Sequence, residues 1–287
     1  MPIQKPMPII LDGKALSQEI LTAVSRRVKE IKQLTGAKPV LRIVTVGNDP
    51  ASAVYVERKK KACKQCGITC EVSRLDANAD GEQLLHAVTS KDTCTDGVIL
   101  QLPVPPDLSE AAYYVLDELS YPRKDVDGLS YYNRAFWDNK CLGQKPCTAL
   151  GIIALLKHYN IDLTGKHVAI IGRSDLVGKP LAAMMTAENA TVTLCHSYTR
   201  NIETYTRMAD IVVAAVGKPG FITSDMIKPG AVLIDVGINR LEDGTIVGDC
   251  TPDAYSKASA YTPVPGGVGP MTVAMLLHNL TRWIDGE

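Results

Sequence analysis

The feature that most constrains this chain is an alternation of short apolar runs with longer amphipathic segments, sustained almost end to end. "LSQEILTAVSRRVKEIKQLTG" carries apolar residues at helical spacing and stops at Gly36. "PVLRIVTVG" has the β-branched density of a strand. Asp49 and Pro50 then supply an N-cap and a first-turn proline, and Gly67 ends the helix they open. "ITCEVSRL", "GEQLLHAVTS", "DGVILQLPVP" and "DLSEAAYYVLDEL" continue as strand, helix, strand and helix. Strands joined through helices must run parallel, so the pattern predicts βαβ units and a largely parallel sheet.

The alternation breaks at "SYPRKDVDGLSYYNRAFWDNKCLGQKPCT". A loop of this length inside a compact protein is functional or a domain boundary. A connecting helix, "ALGIIALLKHYNI", follows, and a second α/β series begins at "KHVAIIG". That series runs through the helix "KPLAAMMTAENA" and the strands "TVTLCHS", "DIVVAAVG" and "GAVLIDVGI". It ends in "TPVPGGVGPMTVAMLLHNLTRWI", a Gly/Pro loop opening a long apolar helix. The expected fold class is therefore α/β, with two α/β lobes flanking a cleft and the second lobe a Rossmann-type nucleotide-binding domain. The expected boundaries are residues 1–146 for the first domain, completed by a C-terminal helix over 268–287, and 147–267 for the second. A chain of 287 residues accommodates two modest domains.

Lys plus Arg equals Asp plus Glu at 31 each, which argues against bulk binding of nucleic acid or an anionic membrane. No apolar run reaches membrane-spanning length, and the first residues lack the apolar stretch of a signal peptide. Eight cysteines scattered over the chain suit reduced thiols in a cytosol. Cys63 and Cys66 form the one CxxC pair; without a second pair or a nearby histidine it is a poor zinc site, and a redox role stays open. No metal site is expected.

"HVAIIGRSDLVGKPLAAMM" reads as strand, glycine-containing turn and helix. Gly172 ends the strand and Gly178 opens the helix, whose unpaired N–H groups and dipole favour a phosphate. Ser174 replaces the middle glycine of GxGxxG, so the bare pattern also fits an ordinary tight turn. The next strand ends in Cys195-His196-Ser197, with no carboxylate to hold a ribose 2′-hydroxyl, and Arg173 stands in the turn. A cation and a hydroxyl without an acid suit a 2′-phosphate, which favours NADP over NAD. His196 is placed on the cofactor side rather than as a base, and Ile238 in "DVGINR" lies against the cofactor.

In "YVERKKKACKQCG" an α-helix advances about 100° per residue. With Tyr55 at zero, Lys59 falls about 40° away, Ala62 about −20° and Cys66 about 20°, while Glu57, Lys60, Lys61 and Lys64 face the other way. Most of the basic run is a solvated face. Lys59 shares the apolar stripe, either with its stem buried and its head in water, or partly desolvated and able to exchange protons. Gln101 emerges at a strand end, where open α/β sheets place ligands; it equally fits a surface amide. "KDVDG" offers two carboxylates, poor as a metal site and readable as a solvated turn, though one aspartate suffices to accept substrate N–H groups. "PGGVGPM" could close over a flat substrate or be only a rigid turn.

Taken together, "SAVYVERKKKACKQCGI", "DGVILQLPVP", "KDVDG", "PCTALG", "GRSDLVGKP", "CHSYT", "DVGINR" and "TPVPGGVGPMT" resemble, in order and over nearly the whole chain, the bifunctional methylenetetrahydrofolate dehydrogenase/cyclohydrolase family. The resemblance implies oxidation of 5,10-methylenetetrahydrofolate with NADP, then hydrolysis of the methenyl product to 10-formyltetrahydrofolate. This is one-carbon chemistry that serves purine biosynthesis. It implies a catalytic Lys59, with Tyr55 packing on the folate, Gln101 tuning the lysine and Asp127 holding the pterin. Leu102, Pro103, Gly269 and Pro270 fall on the substrate side. Thr148, Gly172, Arg173, Ser174, Val177, Ser197 and Ile238 fall at the cofactor. A cytoplasmic homodimer with tetrahydrofolate derivatives as its small-molecule substrates is the family expectation.

Three positions depart from the family pattern. Ala149 stands where the Pro-Cys-Thr-Pro motif has its second proline, Tyr198 where a lysine is frequent, and Cys250 where an aliphatic residue is usual. Two other readings compete. Tyr55-x-x-x-Lys59 imitates the catalytic pair of short-chain dehydrogenases, but there the nucleotide turn precedes the pair, whereas here it follows. A non-catalytic NADP or folate sensor would retain the same binding residues.

Overall fold

The structure is a computed structural model that describes residues 7–90, 94–119 and 121–284. These divide into two compact units. One holds Ser17–Cys147 with residues 273–284, the other residues 7–16 with Thr148–Thr272. Among the described residues the first elements are a two-residue strand, β1 (Ile9–Ile10), and a 23-residue helix, α1 (Gly13–Thr35).

The first lobe continues with β2 (Val40–Val46), α2 (Pro50–Cys66), β3 (Thr69–Leu75), α3 (Gly81–Thr89) and β4 (Gly97–Leu100). The strands form a parallel sheet in the order β3-β2-β4, with Leu41 opposite both Cys70 and Gly97. Ile43 and Val44 at its centre and the whole of β4 are buried. Helix α2 begins as the sequence predicts. Asp49 accepts a 2.7 Å hydrogen bond from the Ser52 amide, Pro50 takes the first turn, and Gly67 ends the helix in the left-handed region at φ 80°. The expected helix over "DLSEAAYYVLDEL" is shorter, α4 (Ala111–Asp117), preceded by a single 3-10 turn at Pro106–Leu108. The long loop is not structureless: it holds a 3-10 turn at Pro122–Lys124 and a short helix, α5 (Tyr131–Arg134). Trp137 pins it by donating to the Gly128 carbonyl at 3.1 Å.

The second lobe follows through α6 (Cys147–His158), β5 (His167–Ile171), α7 (Gly178–Ala187), β6 (Thr191–Cys195), α8 (Ile202–Met208), β7 (Ile211–Ala214) and β8 (Val232–Asp235). A small antiparallel pair, β9 (Asn239–Arg240) and β10 (Ile246–Val247), precedes α9 (Pro252–Lys257), β11 (Ala260–Tyr261) and α10 (Val268–Arg282). Six parallel strands order as β1-β11-β8-β7-β5-β6. The chain moves outward from β5 to β6 and returns to β7 on the other side, so the carboxyl ends of β5 and β7 form a topological switch point, the usual ligand position in such sheets.

The domain boundaries differ from those expected. Ile9 and Ile10 belong to the second lobe's sheet, paired with Ala260 and Tyr261, and the Ile9 and Leu11 amides donate to Ser259 and Tyr261 carbonyls at 2.8 Å. A two-residue strand carries no periodicity, so only the ladder identifies it. Likewise residues 268–272 group with the second lobe, and α10 enters the first lobe from Val273. Residues 1–6 and 285–287 of the expected boundaries lie outside the described residues.

Candidate active site

In the first lobe, about three turns of α2 separate the capped N-terminus from Lys59. Lys59 is 6% exposed, and Ala62, Cys63 and Cys66 on the same side are equally buried, while Glu57, Lys61 and Lys64 face solvent. A surface lysine that merely snorkels keeps its amine in water; this one turns its amine inward. Lys59 Nζ donates to Gln101 Oε1 at 3.0 Å. Gln101 follows the last residue of β4, and its own amide is fixed by the Val44 carbonyl of β2 at 2.8 Å. Its side-chain Nε2 donates to the Leu102 carbonyl at 2.7 Å. The Lys59 amine donates here and the Leu102 carbonyl can only accept, so both neighbours suit the same amide orientation. Tyr55, one turn before Lys59, is half-buried, and burial raises its hydroxyl pKa against a weaker lowering influence from Arg58. Gln101 and Pro103 line a cavity of about 100 Å³ beside the start of α2, together with Ser52, Val56 and Asp49.

Asp127 is half-buried just after the 3-10 turn Pro122–Lys124. Its neighbour Asp125 is fully buried and bridges Val98. The Asp125 carboxyl accepts the Ser130 amide at 2.7 Å and Asn133 Nδ2 at 2.9 Å, yet desolvation outweighs these bonds and pushes it up to about 6. The Cys147 thiol, wholly buried, also meets this cluster. Desolvation first, then the Asp127 charge and hydrogen bond, push that thiol far above its ordinary range, and the Lys59 ammonium opposes them. Lys59, Gln101, Asp127 and Cys147 are thus one neighbourhood. The sequence reading did not single out Cys147 for this cluster. Nor did it find Asn279, whose Nδ2 donates to the Val126 and Lys145 carbonyls at 2.9 Å and so ties the Asp127 turn to the Cys147 segment. No periodicity or motif marks a buried asparagine 132 residues from its partner thiol.

In the second lobe the turn after β5 explains its glycines. Gly172 has φ 122°, and a Cβ there would lie 2.2 Å from the Ala215 carbonyl oxygen; a Cβ on Gly178 would lie 1.8 Å from the Gly172 oxygen. The turn therefore closes directly onto the end of β7, at the switch point. Ser174 Oγ accepts the Val177 amide at 3.2 Å, and no side chain caps α7 at Val177. Arg173 and Ser197 are exposed, and the Arg173 guanidinium lies 5.8 Å from the Tyr198 ring centroid. His196 Nδ1 accepts the Tyr198 amide at 3.2 Å, so its ring is engaged in the loop. The next loop is held by Asp249, whose carboxylate accepts the amides of Val216, Gly217 and Lys218 at 2.7–3.0 Å. Ile238 is 43% exposed and lies beside Gly269. Thr148 Oγ1 shares a 3.0 Å hydrogen bond with Thr272 Oγ1. Gly269 and Pro270, expected on the substrate side, fold with this lobe. A roomier hollow of about 350 Å³ between Lys157, Asp162 and Glu188 opens beside the loops that precede β5 and β6, at the wrong end of the strands for a ligand.

A switch-point glycine turn without a β6 carboxylate, in a chain whose other lobe buries a lysine against a glutamine, fits a two-lobe α/β protein of the nucleotide-binding class. Family models narrow this further. Residues 11–127 match the tetrahydrofolate dehydrogenase/cyclohydrolase catalytic domain, and residues 146–286 match the NAD(P)-binding domain of the same family. The chain belongs to that family. It is 45% identical over 276 residues to the bifunctional protein FolD of Campylobacter curvus, covering 95% of this chain and 94% of that one. Its fold matches the crystal structure of the Campylobacter jejuni bifunctional enzyme FolD with a TM-score of 0.89 at 41% identity, covering 95% and 97% of the two chains. The Trypanosoma brucei methylenetetrahydrofolate dehydrogenase-cyclohydrolase, solved with NADP cofactor and inhibitor, matches with a TM-score of 0.89 at 34% identity, covering 96% and 97%.

Proposed function

We propose that this protein oxidises 5,10-methylenetetrahydrofolate with NADP and hydrolyses the resulting 5,10-methenyltetrahydrofolate to 10-formyltetrahydrofolate, with Lys59 as the proton carrier of the second step. The observation that carries this reading is the buried Lys59 amine bonded to Gln101 at 3.0 Å, within a chain of this family. The methenyl product is a cation and already electrophilic, so no carbonyl needs polarising. Water adds to its carbon, and the water proton must leave. An amine held out of bulk water at a fixed position is suited to take it. Gln101 locates that amine without neutralising it, since an amide bonds either protonation state of lysine. Asp127 accepts pterin N–H groups as a charge-assisted pairing, Tyr55 packs against the ring, and Leu102 and Pro103 shape its seat.

NADP, when bound, accepts the hydride. The residues present suit it. A Cβ at Gly172 or Gly178 would overlap the backbone, the α7 N-terminus lacks a side-chain cap, and β6 ends without an acid beside the exposed Arg173 and Ser197. Thr148, Ser174, Val177 and Ile238 complete the assignment on the cofactor side, with Gly269 and Pro270 adjoining. Among the described residues no helix is long and apolar enough to cross a membrane. We infer a cytoplasmic homodimer without nucleic-acid partners; eight free cysteines support the reducing compartment, balanced charge supports the absence of nucleic acid, and the dimer rests on the family expectation.

The test is to run both half-reactions with purified protein, each with NADP and NAD. NADP-dependent formation of the methenyl chromophore, followed by its decay faster than in buffer, is the expected result. Absence of absorbance change with either nucleotide, despite binding, would instead indicate a sensor.

A further inference from the structure

Two carboxylates in the second lobe are buried and take no part in the proposed chemistry. Asp235 ends β8, and Asp249 follows β10 with no exposed surface. Burying a carboxylate is costly unless its oxygens are fully bonded. Here each accepts four hydrogen bonds. Asp235 takes the amides of Gly237, Asp249 and Cys250 at 2.8–2.9 Å and the Tyr255 hydroxyl at 2.6 Å. Asp249 takes the Val216 and Gly217 amides on Oδ2, and the Lys218 amide and Asn239 Nδ2 on Oδ1. The backbone makes room for both side chains. A Cβ on Gly248 would lie 2.1 Å from Asp235 Oδ2, and one on Gly237 2.3 Å from Asp249 Oδ1.

These bonds run as a relay toward the switch point. Asp235 holds the Asp249 amide, and the Asp249 carbonyl accepts the Ile222 amide at 2.9 Å, so the Asp249 backbone is fixed on both sides. Its side chain then holds the loop after β7 and, through Asn239, the loop after β8. The first loop follows Ala215, the residue whose carbonyl the Gly172 turn closes upon. The second carries Ile238 beside Asn239. Three successive amides converging on one point form an anion-binding nest, with Gly217 in the left-handed region at φ 64°. The protein fills this nest with its own carboxylate, so the loop has its shape before any ligand arrives.

We propose that Asp249 is a positioning residue for the nucleotide: its carboxylate presets the loops after β7 and β8 in the arrangement that receives NADP. Wholly buried, it acts only through those loops. The proposal rests on the cofactor reading above. A site that holds its competent arrangement binds with full affinity, whereas one that visits it about a tenth of the time binds about tenfold more weakly.

Asp249→Asn tests it, because it keeps the shape and breaks the bonding: whichever way the amide turns, its NH2 group meets two donors. Without cofactor, the Val216, Gly217 and Lys218 amides should exchange with deuterium much faster than in the unaltered protein, while β7 stays protected. The NADP dissociation constant from calorimetry should rise about tenfold or more. Asn239→Ala, which loses one of the four bonds, is the milder variant that carries the test if Asp249→Asn does not fold; a rise of about threefold is expected. Tyr255→Phe removes a bond to Asp235 alone, and should lower the melting temperature while leaving NADP affinity within a factor of about two. The proposal is overturned if the loop amides stay protected in Asp249→Asn, if they loosen without loss of NADP affinity, or if Tyr255→Phe weakens NADP as much. An unaltered protein that binds no NADP overturns the cofactor reading with it.

Discussion

Helices α2 and α7 each follow a parallel strand, one in each lobe, and they are used in opposite ways. Helix α2 closes its own start. The Asp49 carboxylate takes the Ser52 amide, Pro50 removes another donor, and the chemistry moves along the helix to the buried face at Lys59. Helix α7 starts at Gly178 with no side-chain cap, against a turn so tight that a Cβ would overlap the backbone. There, on the function proposed above, the helix end is what a ligand would meet, and its face packs, with Leu181, Met184 and Met185 buried. A capped end leaves the face to function, and an open end leaves the amides to function.

The largest effect expected from breaking that contrast is at the face of α2. Lys59→Ala should lower cyclohydrolase turnover by about 100-fold or more, the usual contribution of a positioned proton carrier. NADP affinity by calorimetry should stay within a factor of about two, since the second lobe carries that site. Normal hydrolysis of methenyltetrahydrofolate by the variant would remove the lysine from the mechanism. Next is the open end. Arg173→Ala should raise KM for NADP about tenfold or more, as expected when a charge-assisted phosphate contact is lost, and leave KM for NAD nearly unchanged. Equal changes for both nucleotides would mean that Arg173 does not meet a 2′-phosphate.

Asp125 sharpens the comparison through pH. Its folded carboxyl is raised to about 6 by burial, from an ordinary 3.8, so the folded state holds the proton more tightly than the unfolded chain. Its stabilising contribution is therefore complete below the ordinary value and declines as pH rises through about 6, by at most about 3 kcal/mol. Asp125→Asn should flatten the decline in melting temperature between about pH 4 and about pH 6, the window those values define. An unchanged slope would place the titration elsewhere. The smallest effect belongs to the closed end. Asp49→Ala should cost about 1 kcal/mol of stability in denaturant melts without altering NADP affinity. A large fall in NADP affinity would show that the two helix ends are not independent.

Much of the site was legible because it depends on local rules. The wheel through Tyr55 separates Lys59 from Lys61 and Lys64 before any fold is known, and burial follows that stripe. The absence of an acid at Cys195-His196-Ser197 is likewise a fact of the chain. What escaped was non-local. Cys147 looked like one of eight scattered thiols, and only packing sets it beside Asp127. Asp249 holds the 216–218 loop through bonds spanning more than thirty residues. The pairing of β1 with β11 joins residues some 250 apart, with a two-residue run that carries no pattern.

The sequence alone therefore determined the alternation of helices and strands from α1 to β4, the capped start of α2, the glycine turn at Gly172 and the face on which Lys59 lies. Each follows from dihedral freedom, hydrogen-bonding capacity or helical pitch over a few residues. Tertiary structure decided which carboxylate the Cys147 thiol meets, which carbonyl and amine orient Gln101, and which sheet receives the first strand. Those outcomes depend on where distant segments bury their polar groups, and a buried donor or acceptor takes whatever partner the packing brings within reach.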